Sequence, residues 1–269
     1  MALVDASGVP LELARPPRRI VSLIPSTTET LCALGLADAV AGVTVYCIEP
    51  REVVRTKTKI GGEKDPDLDA IRRLDPDLVI ANVEENLREH VEALRASGIP
   101  VWVTYPRTVR EAIAMIRDLG EVTGARAAAT ALADDLDRSY DDVAAAVAAH
   151  PPSRVFYAIW RNPYMTIGPD TYIHDMLRVC GGRNVFDDRT ERYPSVTLDE
   201  MAERRPDVVI LPDEPFRFRR AHLADFETYA DAPAVRDRRV HLVDGKPFSW
   251  HGPRIAEALR TVPALLRAR

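Results

Sequence analysis

Apolar runs rich in valine and isoleucine recur along the chain, each bounded by proline, glycine or aspartate. In order they are "RIVSLIP", "DAVAGVTVY", "PDLVIAN", "IPVWVTYP", "RVFYAIW", "PDVVILP" and "RVHLVDG". Their hydrophobicity is continuous rather than alternating, which is typical of strands covered on both faces of a parallel sheet. Amphipathic stretches such as "LREHVEALRASG" separate them and close on the glycine that commonly ends a helix. The pattern predicts an α/β fold made of β-α-β units.

Two segments in different halves of the chain echo one another. "LDAIRRLDPDLVIA" at 68–81 and "LDEMAERRPDVVIL" at 198–211 share a Leu-Asp start, a helical stretch, Pro-Asp and an apolar strand. A repeated unit of this kind favours two similar lobes over one continuous sheet.

The longest helical pattern lies between these segments, at 125–150. Its larger side chains recur at three- or four-residue spacing: Leu132, Leu136, Tyr140, Val143 and Val147. A helix of about 23 residues would span roughly 35 Å. We therefore expect an N-terminal α/β lobe at 1–107, a helical segment containing this long helix at 108–152, and a C-terminal α/β lobe at 153–269. An ordinary surface helix of a single domain is the alternative.

The composition narrows the class of partner. The chain has 269 residues and a formal net charge of −5, so no overall positive field would draw nucleic acid or an anionic membrane onto it. A small neutral or locally charged ligand fits better. The three cysteines, Cys32, Cys47 and Cys180, form no CxxC pair, and we expect them to be reduced.

The N-terminal residues bear on the compartment. No apolar run approaches the roughly 20 residues that a membrane helix needs. "MALVDASGVPLELARPPRR" lacks the basic-then-apolar order of a secretory signal. As the chain is written, we expect a cytoplasmic protein that does not span a membrane, with a periplasmic location as the alternative.

A cluster of hydroxyl groups follows the first apolar run. In "IPSTTE", Ser26 precedes Glu29 by three residues, and this spacing predicts a capping box at a helix start. Ligands of open α/β sheets collect beyond the carboxyl ends of strands. The helix start can therefore also line a binding site.

A second candidate is "KPFSWHGPR", which follows the final predicted strand. Phe248, Trp250, His251 and Arg254 offer aromatic faces and a guanidinium group that suit a large planar ligand. Phe248 and Trp250 could equally anchor the last helix to the core. Further aromatics stand just past predicted strands: Tyr46, Tyr105, Trp160, Tyr164 and Tyr193. "RFRRAH" is typical of a solvated face and could also flank an acidic ligand.

The sequence gives little support for metal or nucleophilic catalysis. The six histidines show no HxH or HExxH spacing. One axial ligand to a metal already held in an organic ring remains open, with His251, Tyr46 or Cys47 as candidates. A triad of Ser26, His251 and Asp170 is conceivable, but the G-x-S-x-G elbow is absent. No glycine-rich phosphate loop is present either.

Several segments together resemble a known family. They are "RRIVSLIPSTTETLCALGLADAVAGVTVYCIEP", "IRRLDPDLVIA", "ALRASGIPVWV", "DMLRVCGGRNVF", "RYPSVTLDEMAERRPDVVIL" and "FSWHGPRIAEAL". In order and spacing they resemble the binding proteins of ABC importers for cobalamin, haem and ferric siderophores, and cover nearly the whole chain from Arg18. The resemblance is greatest to the cobalamin-binding branch, whose P-S-x-T-E turn and C-x-x-P stretch match Pro25 to Glu29 and Cys47 to Pro50.

The resemblance implies a fold and a site. The fold would be two Rossmann-like α/β lobes with parallel sheets, joined by one long rigid helix, with ligand in a cleft between the lobes. Two residues would pair with arginines of a permease, Asp69 and Glu200. The residues at or beside the cleft would be Pro25, Ser26, Tyr46, Trp160, Tyr193, Phe248, Trp250, His251 and Arg254.

The resulting hypothesis is a non-catalytic, monomeric binding protein for a metal-containing chelate, most of all cobalamin or another corrinoid. It would need no cofactor of its own, and an ABC permease is the expected protein partner. The alternatives are a haem or ferric-siderophore binder, a cytoplasmic hydrolase-like α/β enzyme that uses the Ser26 and His251 region, and a cytosolic corrinoid carrier or sensor.

Overall fold

The computed structural model describes residues 3–267, which divide into two compact units. Unit 1 contains 3–106, 110–135 and 251–253, and unit 2 contains 107–109, 136–250 and 254–267. No helix within residues 3–267 combines the length and the apolar character that a membrane span requires.

Unit 1 is built on a five-stranded parallel sheet with the order β5-β4-β3-β6-β7. A two-stranded hairpin precedes it. The strands are Leu3–Val4 (β1), Pro10–Leu11 (β2), Ile20–Ser22 (β3), Val40–Val43 (β4), Thr58–Lys59 (β5), Leu78–Asn82 (β6) and Val101–Thr104 (β7). The helices are Pro25–Ala33 (α1), Arg51–Val54 (α2), Leu68–Arg73 (α3), Arg88–Ala96 (α4) and Val109–Thr123 (α5), with a 3₁₀ turn at Ala37–Ala39.

The central strands of unit 1 are buried along their whole length. Every residue of β3, β6 and β7 is buried, as the continuous apolar runs predict for strands with helices on both faces. The predicted parallel sheet is confirmed.

The N-terminal hairpin covers the edge strand β7. The Ala6 amide donates to the Val103 carbonyl at 3.0 Å, and the buried Asp5 carboxylate accepts the Val103 amide at 3.0 Å and the Arg95 guanidinium at 2.6 Å. An edge that is paired in this way cannot template pairing with another chain.

The predicted long helix is present as Arg126–Ala148 (α6), 23 residues, about 35 Å long at 1.5 Å per residue. It packs closely on α5. A Cβ added at Gly120 of α5 would stand 2.3 Å from the Ala129 Cβ of α6, so a side chain at Gly120 would force the two helices apart. Ion pairs reinforce this packing, including one of 2.6 Å between Arg117 and Asp134.

Unit 2 contains a six-stranded sheet with the path β11-β9-β8-β12-β13, in which β10 also pairs with β8. The strands are Ser153–Trp160 (β8), Tyr164–Thr166 (β9), Gly182–Asn184 (β10), Ser195–Val196 (β11), Val208–Pro212 (β12) and Val240–Val243 (β13). The helices are Tyr172–Val179 (α7), Leu198–Glu203 (α8), Pro233–Arg236 (α9), Lys246–Ser249 (α10) and Arg254–Leu266 (α11), with a 3₁₀ segment at Arg220–Tyr229.

Strands β8, β10, β12 and β13 pair in parallel, whereas β9 and β11 are antiparallel additions. The apolar runs of the sequence do not include these two short strands. Tyr164–Thr166 returns alongside β8 after a tight turn, so its pairing comes from the turn rather than from a buried apolar run.

The echo between 68–81 and 198–211 corresponds to one structural unit in each lobe. After α3 and α8, the chain turns through a residue with positive φ, Asp75 at 47° and Arg205 at 48°. Each is followed by Pro-Asp and a buried strand, β6 or β12. The interpretation of two similar lobes therefore has a structural basis in each unit.

The aspartate of each Pro-Asp pair accepts hydrogen bonds from backbone amides at the start of a neighbouring strand. The Asp77 carboxylate accepts the amides of Arg18 at 2.7 Å and Arg19 at 3.0 Å. Asp207 accepts the amide of Arg154 at 2.8 Å in the same way. The carboxylate satisfies backbone donors that the sheet leaves unpaired at this end, and these bonds lower the pKa of Asp77.

Replacing Arg205 by glycine is expected to stabilise the chain. The side chain is exposed, and its positive φ is strained for any residue with a Cβ. We expect Arg205→Gly to raise the free energy of unfolding by about 0.5–1 kcal/mol, after allowing for the entropy of glycine in the unfolded chain. Glu203→Gly, two residues earlier on helical backbone, should instead lower it by about 0.5–1 kcal/mol. Urea unfolding of both variants checks this, and a lower midpoint for Arg205→Gly contradicts it.

Candidate functional site

The loop after β4 in unit 1 presents three apolar side chains to solvent. Val45 is 50% exposed, Tyr46 59% and Ile48 53%. They follow the carboxyl end of a parallel strand, where open α/β sheets place ligands. An exposed apolar group of this size at that edge is a candidate binding surface.

Cys47 holds this loop in place. Its thiol is buried and lies 3.2 Å from the hydroxyls of both Thr28 and Thr44. The Lys59 ammonium donates to the Cys47 carbonyl at 3.1 Å. Burial raises the pKa of the Cys47 thiol, which keeps it protonated and makes it a poor metal ligand. The candidate role of Cys47 as an axial ligand is therefore not favoured, and its position indicates a structural role.

Helix α1 starts two residues earlier than the predicted capping box requires. Its N-cap is Ile24, which provides no side-chain cap, and Pro25 occupies the first turn. Ser26 is thus a helical residue, 4% exposed, and the capping-box prediction is wrong. Proline is favoured at the first helical position because its missing amide would have no partner there. Thr28 and Thr30 donate instead to carbonyls four residues earlier, Ile24 at 3.0 Å and Ser26 at 2.8 Å.

Two asparagines that the sequence analysis did not single out organise the next loop. The Asn86 side chain accepts the Asn82 amide at 2.8 Å and donates to the Glu63 carbonyl at 3.0 Å. Both asparagines are buried, whereas Val83 and Leu87 beside them are 45% and 39% exposed. A polar residue at the end of a wholly apolar strand is the signal that could have revealed this network.

His251 belongs to unit 1, although it follows the last strand of unit 2 in sequence. The Thr30 hydroxyl donates to its carbonyl at 3.4 Å. Gly252 has φ of 120°, and a Cβ there would stand 2.1 Å from the Thr30 hydroxyl oxygen, so only glycine fits. Burial lowers the pKa of His251 to about 4, against a smaller opposing effect of Glu84. At neutral pH the imidazole is therefore uncharged, as a metal ligand must be.

Aromatic side chains lie at the carboxyl end of β8 in unit 2. Trp160 is 42% exposed and meets Phe216 edge-on, with 5.5 Å between ring centroids. Tyr193 is 39% exposed, with the Arg192 guanidinium 5.7 Å from its ring centroid. Tyr164 points its hydroxyl at Asp225, 2.6 Å away. Trp160 and Tyr193 are therefore accessible, whereas Tyr164 is held within the unit.

Phe248 and Trp250 are buried in unit 2. Phe248 is 3% exposed and lies 5.4 Å from the Tyr157 ring, while Trp250 is 7% exposed with Arg254 at 6.0 Å from its ring. This packing favours the alternative in which both residues anchor the last helix. Contact of Phe248, Trp250 and Arg254 with ligand stays a prediction.

The two acids expected at a protein interface differ in their surroundings. Asp69, with a side chain 77% exposed, pairs with Arg72 at 2.7 Å. Glu200 completes a capping box with Thr197 and also pairs with Arg189, and these contacts lower its pKa. In the repeated helix starts, Leu68 corresponds to Leu198, so the position that matches Asp69 is Asp199. Asp199 accepts a hydrogen bond from the Tyr229 hydroxyl at 2.8 Å.

Asp170, the third member of the conceivable triad, forms ion pairs with two arginines. Its carboxylate accepts from Arg192 at 2.8 Å and from Arg107 at 3.4 Å. Ion pairs of this kind orient a carboxylate toward guanidinium groups rather than toward an imidazole.

Known proteins similar to the chain are binding proteins. It is 33% identical over 268 residues to a cobalamin-binding protein of Halobacterium salinarum, covering 95% of this chain and 71% of that one. It is 29% identical to an uncharacterized ABC transporter substrate-binding lipoprotein of Bacillus subtilis, covering 95% and 82%. A periplasmic haem-binding protein solved with two haems matches with a TM-score of 0.81 and 27% identity, covering 92% of this chain and 97% of that chain.

These relatives do not support the cytoplasmic location expected from the N-terminal residues. One is a lipoprotein and another is periplasmic, so the comparisons favour the alternative outside the cytoplasm.

A family model described as periplasmic binding protein matches residues 20–247, which is most of the chain. Its members hold ligands and catalyse no reaction, which excludes the hydrolase alternative. The chain belongs to the periplasmic binding protein family and is a non-catalytic, two-lobed α/β binding protein.

Proposed function

We propose that this protein binds a metal-containing chelate, cobalamin or another corrinoid above all, and delivers it to the permease of an ABC importer. Family membership supports a binding role, and the Halobacterium salinarum relative at 33% identity is named a cobalamin-binding protein. The Bacillus subtilis relative is named as part of an ABC transporter. Because the Bacillus subtilis relative is a lipoprotein and the haem-binding neighbour is periplasmic, we propose that this protein acts outside the cytoplasm.

The observation that carries this proposal is the exposure of large apolar side chains at the carboxyl ends of strands. Tyr46 in unit 1 and Trp160 in unit 2 are 59% and 42% exposed; Tyr46 lies in the loop after β4, and Trp160 is the last residue of β8. Covering about 100 Å² of such a ring removes roughly 2.5 kcal/mol of unfavourable hydration at about 25 cal/mol per Å². Since Cys47 already fixes the first loop, little further ordering is needed when ligand binds.

A haem or a ferric siderophore is the second candidate. The structural neighbour with two haems motivates it, and an uncharged His251 suits axial coordination of iron as well as of cobalt. We propose that Pro25, Ser26, Tyr193, Phe248, Trp250 and Arg254 complete the contacts with either ligand.

The partner proposal concerns acids at the starts of α3 and α8. Asp69 and Glu200 are the residues suggested by the sequence, and the register of the two helices adds Asp199. Asp69 and Asp199 are exposed, and exposed acids suit an interface with arginines because opposite charges attract across it. Asp199 is more available than Glu200, whose two carboxylate oxygens already accept from Arg189 and from the Thr197 amide.

Titration with candidate ligands tests the binding proposal. We expect cyanocobalamin, ferric haem or a ferric siderophore to quench tryptophan fluorescence with saturation. Tyr46→Ala and Trp160→Ala should each weaken binding about tenfold or more, since each removes an apolar contact. Val4→Ala, at a side chain 59% exposed on the N-terminal hairpin, is the matched control and should bind normally. A folded protein that responds to none of the three ligands overturns the proposal.

The coordination proposal predicts a specific spectral change. With a folded-state pKa of about 4, His251 stays uncharged as the pH falls from 8 to 5, whereas an ordinary histidine becomes half protonated near 6.5. The axial-ligand absorption of the bound chelate should therefore be constant from pH 8 to 5 and should change in His251→Ala. An unchanged spectrum in that variant means that His251 is not the axial ligand.

Charge reversal tests the partner proposal. Asp69→Arg and Asp199→Arg should leave ligand affinity unchanged but lower ligand uptake about tenfold in the native host, because like charges at an interface repel. Glu200→Gln measures how much Glu200 alone contributes to ligand uptake. Asp231→Arg, an exposed acid of unit 2 outside α8, controls for net charge. Normal uptake in both reversed variants contradicts docking through these acids.

A further inference from the structure

An open surface cavity of about 560 Å³ lies on unit 2, at the carboxyl ends of β12 and β13. Phe218, Leu242 and Val243 give it an apolar lining, and Arg217 and Arg219 contribute guanidinium groups. The cavity therefore offers a ligand both apolar surface and two positively charged side chains.

Both arginines line the same cavity and are exposed. Phe218 between them is 4% exposed, and its amide donates to the carbonyls of Phe216 at 3.0 Å and Pro212 at 3.1 Å. The buried Phe218 thus fixes the backbone between the two exposed arginines.

Phe218 is fixed by a cluster of rings and ions. It stacks on Tyr164 with 6.2 Å between centroids and meets Phe216 edge-on at 4.8 Å. The Tyr164 hydroxyl donates to Asp225 at 2.6 Å, and Arg161 donates to the same carboxylate at 2.6 and 3.0 Å. These contacts lower the pKa of Asp225 and hold it ionised. The segment that carries the two arginines is therefore anchored at its centre.

Two acids share the cavity with the arginines without pairing with them. Asp213 and Asp244 also line it; Asp213 accepts the neutral Gly245 amide at 2.9 Å, and Asp244 pairs with the Lys246 ammonium at 2.8 Å. Among residues 3–267, neither Arg217 nor Arg219 forms an ion pair. Two exposed guanidinium groups at a preformed cavity suit a ligand oxyanion, to which each can donate two parallel hydrogen bonds.

We propose that Arg217 and Arg219 form a subsite for an anionic group carried at the periphery of the bound chelate, a phosphodiester or a carboxylate. The exposed side chain of Leu242 would receive the neighbouring hydrocarbon of the ligand. This inference rests on the proposed function and adds to it a means of discrimination: chelates that bear a peripheral acid bind more tightly than otherwise similar neutral ones.

Paired probes test the subsite. Cyanocobalamin carries a phosphodiester that dicyanocobinamide lacks, and ferric protoporphyrin IX carries carboxylates that its dimethyl ester lacks. We expect the double variant Arg217→Gln, Arg219→Gln to bind the anionic member of the bound pair about tenfold or more weakly and its neutral counterpart as the wild type does. Added salt should weaken wild-type binding of the anionic member more than that of the neutral one. Which pair responds identifies the source of the anion.

Arg220→Gln is the matched control, because Arg220 is an exposed arginine adjacent to the pair but outside the cavity lining. It should bind every probe normally. Equal loss for both members of a pair, or no loss in the double variant, overturns the subsite and leaves the proposed function standing. If the folded wild type binds none of the four probes, the proposed function falls, and the subsite falls with it.

Discussion

Burial of the parallel strands on both faces is the constraint on which the rest of the structure depends. In β3, β6, β7 and β12 every residue is buried. Such strands have no free face on which to display a functional side chain, so accessible chemistry is confined to the loops at their ends. At the amino ends, those loops carry Pro-Asp turns whose carboxylates accept the amides at the starts of neighbouring strands. At the carboxyl ends they carry the exposed apolar and aromatic side chains.

Loops that expose large apolar groups need another source of order, and each unit supplies it differently. In unit 1, a buried thiol between two threonines fixes the loop around Tyr46, and an asparagine side chain fixes the loop around Val83. In unit 2, packed rings and the ion pair of Arg161 with Asp225 do the same beside Trp160. Both arrangements place the cost of ordering in folding rather than in ligand binding.

The sequence predicted the features that depend on periodicity. The apolar runs, the long helix now seen at 126–148, and the repeat around 68–81 and 198–211 could all be recognised because burial and helical spacing leave a local pattern. Tyr46 is exposed in the loop after β4, as its position predicts, whereas Trp160, also exposed, is the last residue of β8 rather than a loop residue.

The features that failed or were missed depend on the partner of a side chain. Ser26 matched a capping box by spacing, but Pro25 takes the first helical position and moves the cap to Ile24. For Glu200 the sequence did not show that its oxygens accept from the Thr197 amide and from Arg189; its role at a protein interface stays a prediction. Antiparallel β9 and β11 contain only three and two residues, too few for a periodic signal. A pattern of residue types cannot report which donor an oxygen accepts from.

The same limit explains why "RFRRAH" is ambiguous as a string. Most arginine-rich surface stretches are solvated, and residue type alone gives no reason to think otherwise. What changes the interpretation is the state of the neighbouring acids. Asp213 accepts the Gly245 amide and Asp244 pairs with Lys246, so among residues 3–267 the two guanidinium groups line the cavity without an ion-pair partner. Apolar burial provides affinity without regard to ligand charge, so discrimination between similar chelates must come from polar groups left unsatisfied by the protein itself.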